Sequence, residues 1–244
     1  MDLQLAGRRA LVTASTSGIG AAVARRLAEE GAEVLVHGRR AEAAQQVALE
    51  TGGQALLGDL SDPATAAEVA GHAARWGAEI VVHGLGPFVE HTWDEAEPED
   101  WAASYDANVV SAVRLLRPLL PSLSGRGWGR VVLIGSRVAS TPLPSMVEYS
   151  AAKAAVVNLT NGLARHLAGT GVTANVVSPG VIATEGLAAM LGDEDRAASY
   201  APNPAGRLGT PEDIAATVAF VCSPLADYVN GTEIRVDGGL SPLA

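Results

Sequence analysis

The chain has 244 residues, 48% of them hydrophobic and 18% charged, with a formal net charge of −10 and a pI of about 4.9. That length suits one large α/β domain with a substantial core, and the apolar content excludes intrinsic disorder. The acidic balance argues against nucleic acid or an anionic membrane surface as a partner. The single cysteine, Cys222, excludes an intrachain disulfide and a cysteine-built zinc site. Its neighbours Ala219, Phe220 and Val221 fit a buried structural thiol. Residues 1–5 show no basic region followed by an apolar one, and no apolar run nears the ~18 residues of a bilayer span. A cytoplasmic protein is expected.

In chain order the predicted elements are strand Ala10–Thr13, helix Ile19–Glu30, strand Glu33–His37, helix Ala41–Glu50, strand Gln54–Gly58 and helix Pro63–Trp76. Strand Ile80–His83, helix Glu99–Leu120, strand Arg130–Gly135, helix Tyr149–Ala168, strand Thr173–Ser178, helix Pro211–Cys222 and strand Thr232–Val236 follow. Continuous Val/Leu/Ile runs suit strands covered on both faces, and their alternation with helices implies right-handed βαβ units. The expected fold is α/β, a Rossmann-type doubly wound parallel sheet of about seven strands in a single domain, residues 1–244. The acidic run Glu95–Asp100 reads as a helix start whose carboxylates complement the dipole. Ala152, Val156, Leu159, Leu163 and Leu167 form an ordinary core-facing stripe. Residues 180–209 have no strong period and follow a strand, so they are expected to form a substrate-covering segment.

Lys153 is the only lysine among seventeen basic residues. Arginine serves as a charge everywhere else, so this position calls for a compact ammonium with rotatable donors. Tyr149 stands four residues earlier in an alanine-rich stretch, which places both side chains on one helix face. A phenol ordinarily titrates near ~10. An ammonium at ~4 Å in an effective dielectric near 20 favours the phenolate by ~4 kcal/mol, about 3 pKa units before desolvation opposes it. The pair reads as a tuned general acid/base. Upstream, the first strand runs into Thr13-Ala14-Ser15-Thr16-Ser17-Gly18-Ile19-Gly20 and a helix. Its glycines allow backbone to approach a pyrophosphate at the helix N-terminus, although the spacing is not G-x-G-x-x-G.

Together these residues resemble the short-chain dehydrogenase/reductase family, over nearly the whole chain. Residues 13–20 match the family's Thr-Gly-x-x-x-Gly-x-Gly except at Ala14, where a methyl is expected to be tolerated with φ below zero. The resemblance makes Ser136 the substrate-orienting serine and Asn108 the asparagine that holds a water in a proton relay. Tyr149 becomes the proton donor, and Lys153 the group that lowers the phenol pKa and holds the nicotinamide ribose. It implies hydride transfer between a nicotinamide and a ketone or secondary alcohol of a small organic substrate. Cofactor contacts are expected from Ala14, Ser15, Thr16, Ser17, Gly18, Ile19 and Gly20, from the adenine-contacting pair Asp59 and Leu60, and from Pro179, Gly180, Ile182 and Thr184. Arg39 and Arg40 end the second strand where a carboxylate would select NAD, so NADP(H) is favoured over NAD(H), with Arg39 the better placed.

Where the family has Asn-Asn-Ala-Gly, this chain has His83-Gly84-Leu85-Gly86. His83 and Gly84 are expected along the cofactor, with His83 a candidate replacement hydrogen-bond partner. A metal site of His83 with His91 is not expected, since Pro87 intervenes and no third ligand stands out. Arg137, Pro144, Met146 and Glu148 are expected to border the substrate pocket. By analogy with the family, the helices near 99–120 and after 149 pair subunits into a homotetramer or dimer. The motif set also resembles 3-oxoacyl-carrier-protein reductases, an alternative placed second because an acidic carrier calls for basic docking patches. A non-catalytic NADP-sensing protein on the same fold is the third reading.

Overall fold

The computed structural model describes residues 1–187 and 203–241. Seven strands form one sheet: β1 (Arg9–Thr13), β2 (Glu33–Gly38), β3 (Gln54–Leu57), β4 (Ile80–His83), β5 (Gly129–Ile134), β6 (Val172–Pro179) and β7 (Glu233–Val236). All neighbours pair parallel, in the order β3-β2-β1-β4-β5-β6-β7. The expected doubly wound sheet is therefore present, and strand limits differ from the sequence reading by about one residue. Side chains alternate between two dry layers. Ala10, Val12, Val34 and Val36 face one core with Val23, Leu27, Ile214 and Val218, while Leu11 and Leu35 face the other with Val69, Leu115, Leu119 and Val156.

The first layer is built on α1 (Gly18–Glu29), α2 (Ala41–Thr51) and α7 (Pro211–Val221). The second is built on α3 (Pro63–Trp76), α5 (Ser111–Ser124) and α6 (Val147–His166). Local chemistry marks the limits of α3: Asp62 Oδ1 accepts from Thr65 N at 2.8 Å, Pro63 opens the helix, and Gly77 ends it at φ 91°. The acidic run behaves as expected. It starts α4 (Pro98–Tyr105), where Asp100 Oδ2 accepts from Glu97 N at 3.0 Å.

One predicted element needs correction. The expected helix Glu99–Leu120 is α4 and α5 joined by a widened π-turn, Asp106–Val110. A π-turn bonds back five residues and leaves a carbonyl spare at i−4. At Asn108 that carbonyl belongs to Ser104, and the Asn108 side-chain amide takes it at 3.0 Å. Arg114 braces the turn with two bonds to the Asp106 carboxylate, at 2.8 and 2.7 Å.

The strand order reverses between β1 and β4, and the crevice beyond their carboxyl ends is where open α/β sheets bind ligands. The chain after β1 is Ala14–Gly20 and that after β4 is Gly84–Gly86. No helix among the described residues is long and apolar enough to cross a membrane.

Candidate functional site

A cavity of about 260 Å³ opens at that crevice. Ile19 and Gly20 border it from the first turn, Gly84 and Gly86 from the end of β4, and Pro179, Gly180, Ile182 and Thr184 from the end of β6. Ser136, Tyr149 and Lys153 complete the same wall. Three sequence segments expected to hold the cofactor thus meet the expected catalytic groups around one space.

The groups expected to be catalytic are held from three elements. Ser136 follows β5 and caps the short 3-10 turn Arg137–Ala139, its hydroxyl accepting from Val138 N at 3.4 Å. Tyr149 and Lys153 lie on α6, both buried. The Lys153 ammonium donates to Ile134 O at 3.0 Å and lies 5.6 Å from the Tyr149 ring centroid. Asn108 is buried in the π-turn, its amide donating to Ser104 O and, at 3.3 Å, to Pro87 O. Those two bonds turn Oδ1 the other way, where it has no protein partner. A Cβ built on Gly86 would lie 2.5 Å from Lys153 Nζ and 2.6 Å from Asn108 Oδ1, so both polar ends converge over this glycine.

Electrostatics correct the expectation for the phenol. Burial pushes Tyr149 up to about 12, and a hydrogen bond with Ser136 opposes the rise. Burial also pushes Lys153 down to about 8. Desolvation, the opposing effect, outweighs the help of the ammonium once both groups are taken out of water.

The turn after β1 also departs from expectation. Ala14 has φ 51°, not a negative value, so its methyl sits in the left-handed region that glycine occupies freely. Its N–H donates to His37 Nδ1 at 3.4 Å. Ser15 is fully buried, with Oγ donating to Val12 O at 2.7 Å and accepting from His37 N at 3.0 Å, while its own N–H donates to His37 O at 2.9 Å. Ser15 therefore braces the turn and offers no free donor to a ligand. Gly20 allows the turn to close on the helix, since a Cβ there would sit 2.2 Å from Ala14 O. Gly18 abuts Thr184, and Thr16 packs against Gly38 at the end of β2. The residues present thus fit a dinucleotide: glycines permit backbone approach, and an unpartnered amide oxygen lies beside a buried ammonium.

At the outer end Arg39 and Arg40 are exposed, and the Arg39 guanidinium lies 3.6 Å from Asp59. Hydrogen bonds from Ser61 hold the Asp59 carboxyl below its ordinary range. Leu60 is buried in the core against α3. His83 does not reach the cavity; it is buried between Thr13 and Ser111.

Of the residues expected to border the substrate pocket, Arg137 and Met146 do. Pro144 lines an adjoining groove with Trp93 and Trp101. Glu148 turns away from the cavity, its buried carboxylate 2.7 Å from His91 Nδ1. Sequence reasoning missed Phe88, Val138, Leu143 and Leu187, which line the cavity. Val138 and Leu143 lie between Ser136 and Tyr149, a position that could have marked them. At the mouth, Ala183 N donates to Gly209 O at 2.8 Å and Gly209 N to Val181 O at 3.0 Å, which joins the two described ends of the segment 180–209. Residues 188–202 of that segment lie outside the described residues.

A family model described as enoyl-(acyl carrier protein) reductase matches residues 13–241. An uncharacterized oxidoreductase of Bacillus subtilis is 36% identical over 260 residues, a match covering 98% of each chain. The 3-oxoacyl-(acyl-carrier-protein) reductase of Haemophilus influenzae is 35% identical over 238 residues, covering 96% of this chain and 98% of that protein. Among solved structures, the L-sorbose reductase of Gluconobacter frateurii, complexed with NADPH and L-sorbose, matches with a TM-score of 0.92 at 31% identity over 100% of each chain.

Proposed function

The chain belongs to the short-chain dehydrogenase/reductase family of oxidoreductases, and from that premise we propose that it is an NADP(H)-dependent reductase of ketones with apolar flanks. The observation that carries this reading is the convergence of Ser136, Tyr149 and Lys153 on the cavity bordered by the glycine-rich strand ends, with Asn108 behind Lys153.

When bound, the reduced nicotinamide supplies hydride to the carbonyl carbon. Ser136 and Tyr149 hold the carbonyl oxygen, and Tyr149 gives it a proton as negative charge develops there. A phenol pushed up to about 12 keeps its proton throughout the neutral range, which suits the reducing direction. Lys153, pushed down to about 8, still carries its charge at neutral pH and stabilises the phenolate left after transfer. Asn108 Oδ1, which has no protein partner and lies with the ammonium over Gly86, would accept from a water that carries the replacement proton toward Lys153. Arg39, exposed just after β2, would hold the 2′-phosphate that distinguishes NADP(H).

Phe88, Val138, Leu143, Met146 and Leu187 form the described wall beside Tyr149, and they favour an apolar body over a polyol. Carrier-linked 3-oxoacyl groups are the second reading, favoured by the named reductase relative. The net charge of −10 places it behind free ketones.

The test is NADPH oxidation over a panel of aliphatic and aryl ketones, sugars and carrier-linked 3-oxoacyl groups. Expected are turnover of the apolar ketones and a loss of ~10²–10⁴ in kcat for Tyr149→Phe with NADPH affinity kept. A Tyr149→Phe enzyme as fast as the native one removes the proposed acid, and faster turnover of sugars removes the substrate class. NADPH binding without turnover of any panel member would favour a sensing role.

A further inference from the structure

In place of the two amides that the family carries after β4, this chain has one imidazole and a glycine. The imidazole bridges two distant parts of the site. Gly84 N donates to Thr13 Oγ1 at 3.1 Å, and the same hydroxyl lies 3.1 Å from His83 Nδ1. On its other side, His83 Nε2 is 3.3 Å from Ser111 Oγ, whose own proton goes to Ala107 O at 2.6 Å. With its proton committed to Ala107 O, Ser111 can only accept, so Nε2–H donates, Nδ1 accepts and the Thr13 hydroxyl donates. Thr13, His83 and Ser111 are all buried, so no water competes for these bonds. Burial pushes the imidazole down to about 3, and the nearby Lys153 charge adds to that, so the ring stays neutral as the chain requires.

The two ends of this chain differ in function. One end is the turn after β1, where Ala14 is held at positive φ. The other is Ala107, inside the π-turn and one residue before Asn108. We propose that His83 is a positioning residue that ties the phosphate-side turn to the π-turn carrying Asn108, so that cofactor seating and the proton relay share one register. The proposal rests on the oxidoreductase reading above for what the relay does, but the tie itself is a property of the hydrogen-bonded chain.

Three substitutions cut the chain at different points. Thr13→Val cuts the phosphate end, Ser111→Ala cuts the π-turn end, and His83→Phe cuts both. The readouts are the Kd for NADPH from nicotinamide fluorescence, kcat on the best ketone of the panel, and the thermal midpoint. Losing one buried, satisfied hydrogen bond predicts about a ten-fold effect at the end that is cut. Thr13→Val should weaken NADPH about ten-fold. Ser111→Ala should lower kcat about ten-fold and leave the Kd within two-fold. His83→Phe should do both, and adding Ser111→Ala to it should cost nothing further in kcat.

A merely structural histidine would lower the thermal midpoint in all three variants without this split. Equal shifts in Kd and kcat for Thr13→Val and Ser111→Ala, or full additivity with His83→Phe, would overturn the tie. Should His83→Phe fail to fold, the split between the other two variants decides. If the native protein binds NADPH but reduces nothing on the panel, the oxidoreductase reading fails. The tie then stands or falls on NADPH affinity alone, which Thr13→Val and His83→Phe must weaken and Ser111→Ala must spare.

Discussion

Replacing Gly86 with alanine inserts one methyl where the two polar ends of the proposed relay meet. The new Cβ would lie 2.5 Å from Lys153 Nζ and 2.6 Å from Asn108 Oδ1, against ordinary contact from 3.4 Å. Each group must retreat by roughly 1 Å to relieve the overlap. Gly86 is not among the positive-φ glycines, so the substitution brings no left-handed backbone strain. Lys153 Nζ is the end of a flexible chain, and its retreat loses at most the 3.0 Å bond to Ile134 O. For a charged donor that loss is worth about 1.5–3 kcal/mol, or ~3–12 °C in the thermal midpoint of a chain this size.

The catalytic cost is separate from the structural one, because a misplacement of ~1 Å in a positioned group costs ~10²-fold in rate even in a folded protein. Gly86→Ala should therefore leave a folded protein, with kcat on the best ketone down about a hundred-fold. Steady-state NADPH oxidation and a thermal melt on the same preparation measure both quantities. A folded variant whose kcat stays within three-fold of native would show that Lys153 and Asn108 do not work from these positions.

Arg39→Asp places a carboxylate where the 2′-phosphate is proposed to sit, and should shift the kcat/KM ratio for NADPH over NADH by at least ten-fold toward NADH; an unchanged ratio would move the phosphate site elsewhere. Ala14→Gly releases the methyl held at φ 51°, worth ~1–2 kcal/mol, less the ~0.4–1 kcal/mol by which glycine frees the unfolded chain. The thermal midpoint should rise by about 2 °C, and a fall would mean that the methyl contributes packing. Burial holds His37 at about 4 and His83 at about 3, against ~6.5 in an unfolded chain. The unfolded chain therefore takes up protons first as pH falls, so this stability is complete above ~6.5 and lost toward pH 4 and below, with a slope of up to ~1.4 kcal/mol per pH unit for each histidine. Urea unfolding across pH 7 to 4 measures it, and a stability flat over that range would mean that both imidazoles charge without cost.

The strands were legible because β1, β2 and β4–β6 are covered on both faces, and such strands need near-continuous apolar residues. The proximity of Tyr149 and Lys153 was legible for a different reason: one helical turn fixes them relative to each other, which is a local constraint. What the sequence hid was non-local. The π-turn at Asp106–Val110 depends on the Arg114 clamp and on Asn108 capturing the Ser104 carbonyl, and neither shows in the apolar period of residues 99–120. The φ of Ala14 is fixed by the closure of its turn on Gly20 and by His37, residues that give no sign of it in their own segments. Glu148 next to Tyr149 looked like a pocket residue, but on α6 it points toward His91, fifty-seven positions away.

The phenol teaches the same lesson with a sign attached. Two effects compete at Tyr149, removal from water and the hydrogen bond with Ser136, and the spacing to Lys153 reports neither. In the structure the ammonium hydrogen-bonds the Ile134 carbonyl and lies over the phenol ring, while both groups are almost fully enclosed. Enclosure drives each toward its neutral form, Tyr149 to about 12 and Lys153 to about 8. Between those two values the lysine has lost its charge before the phenol has ionised, so raising the pH removes the electrostatic help without producing the base. Below about 8 the pair is a charged lysine beside a protonated phenol, which is the state that the proposed reduction calls for. The same burial that spoils this site as a resting base suits it to the proposed role of an acid.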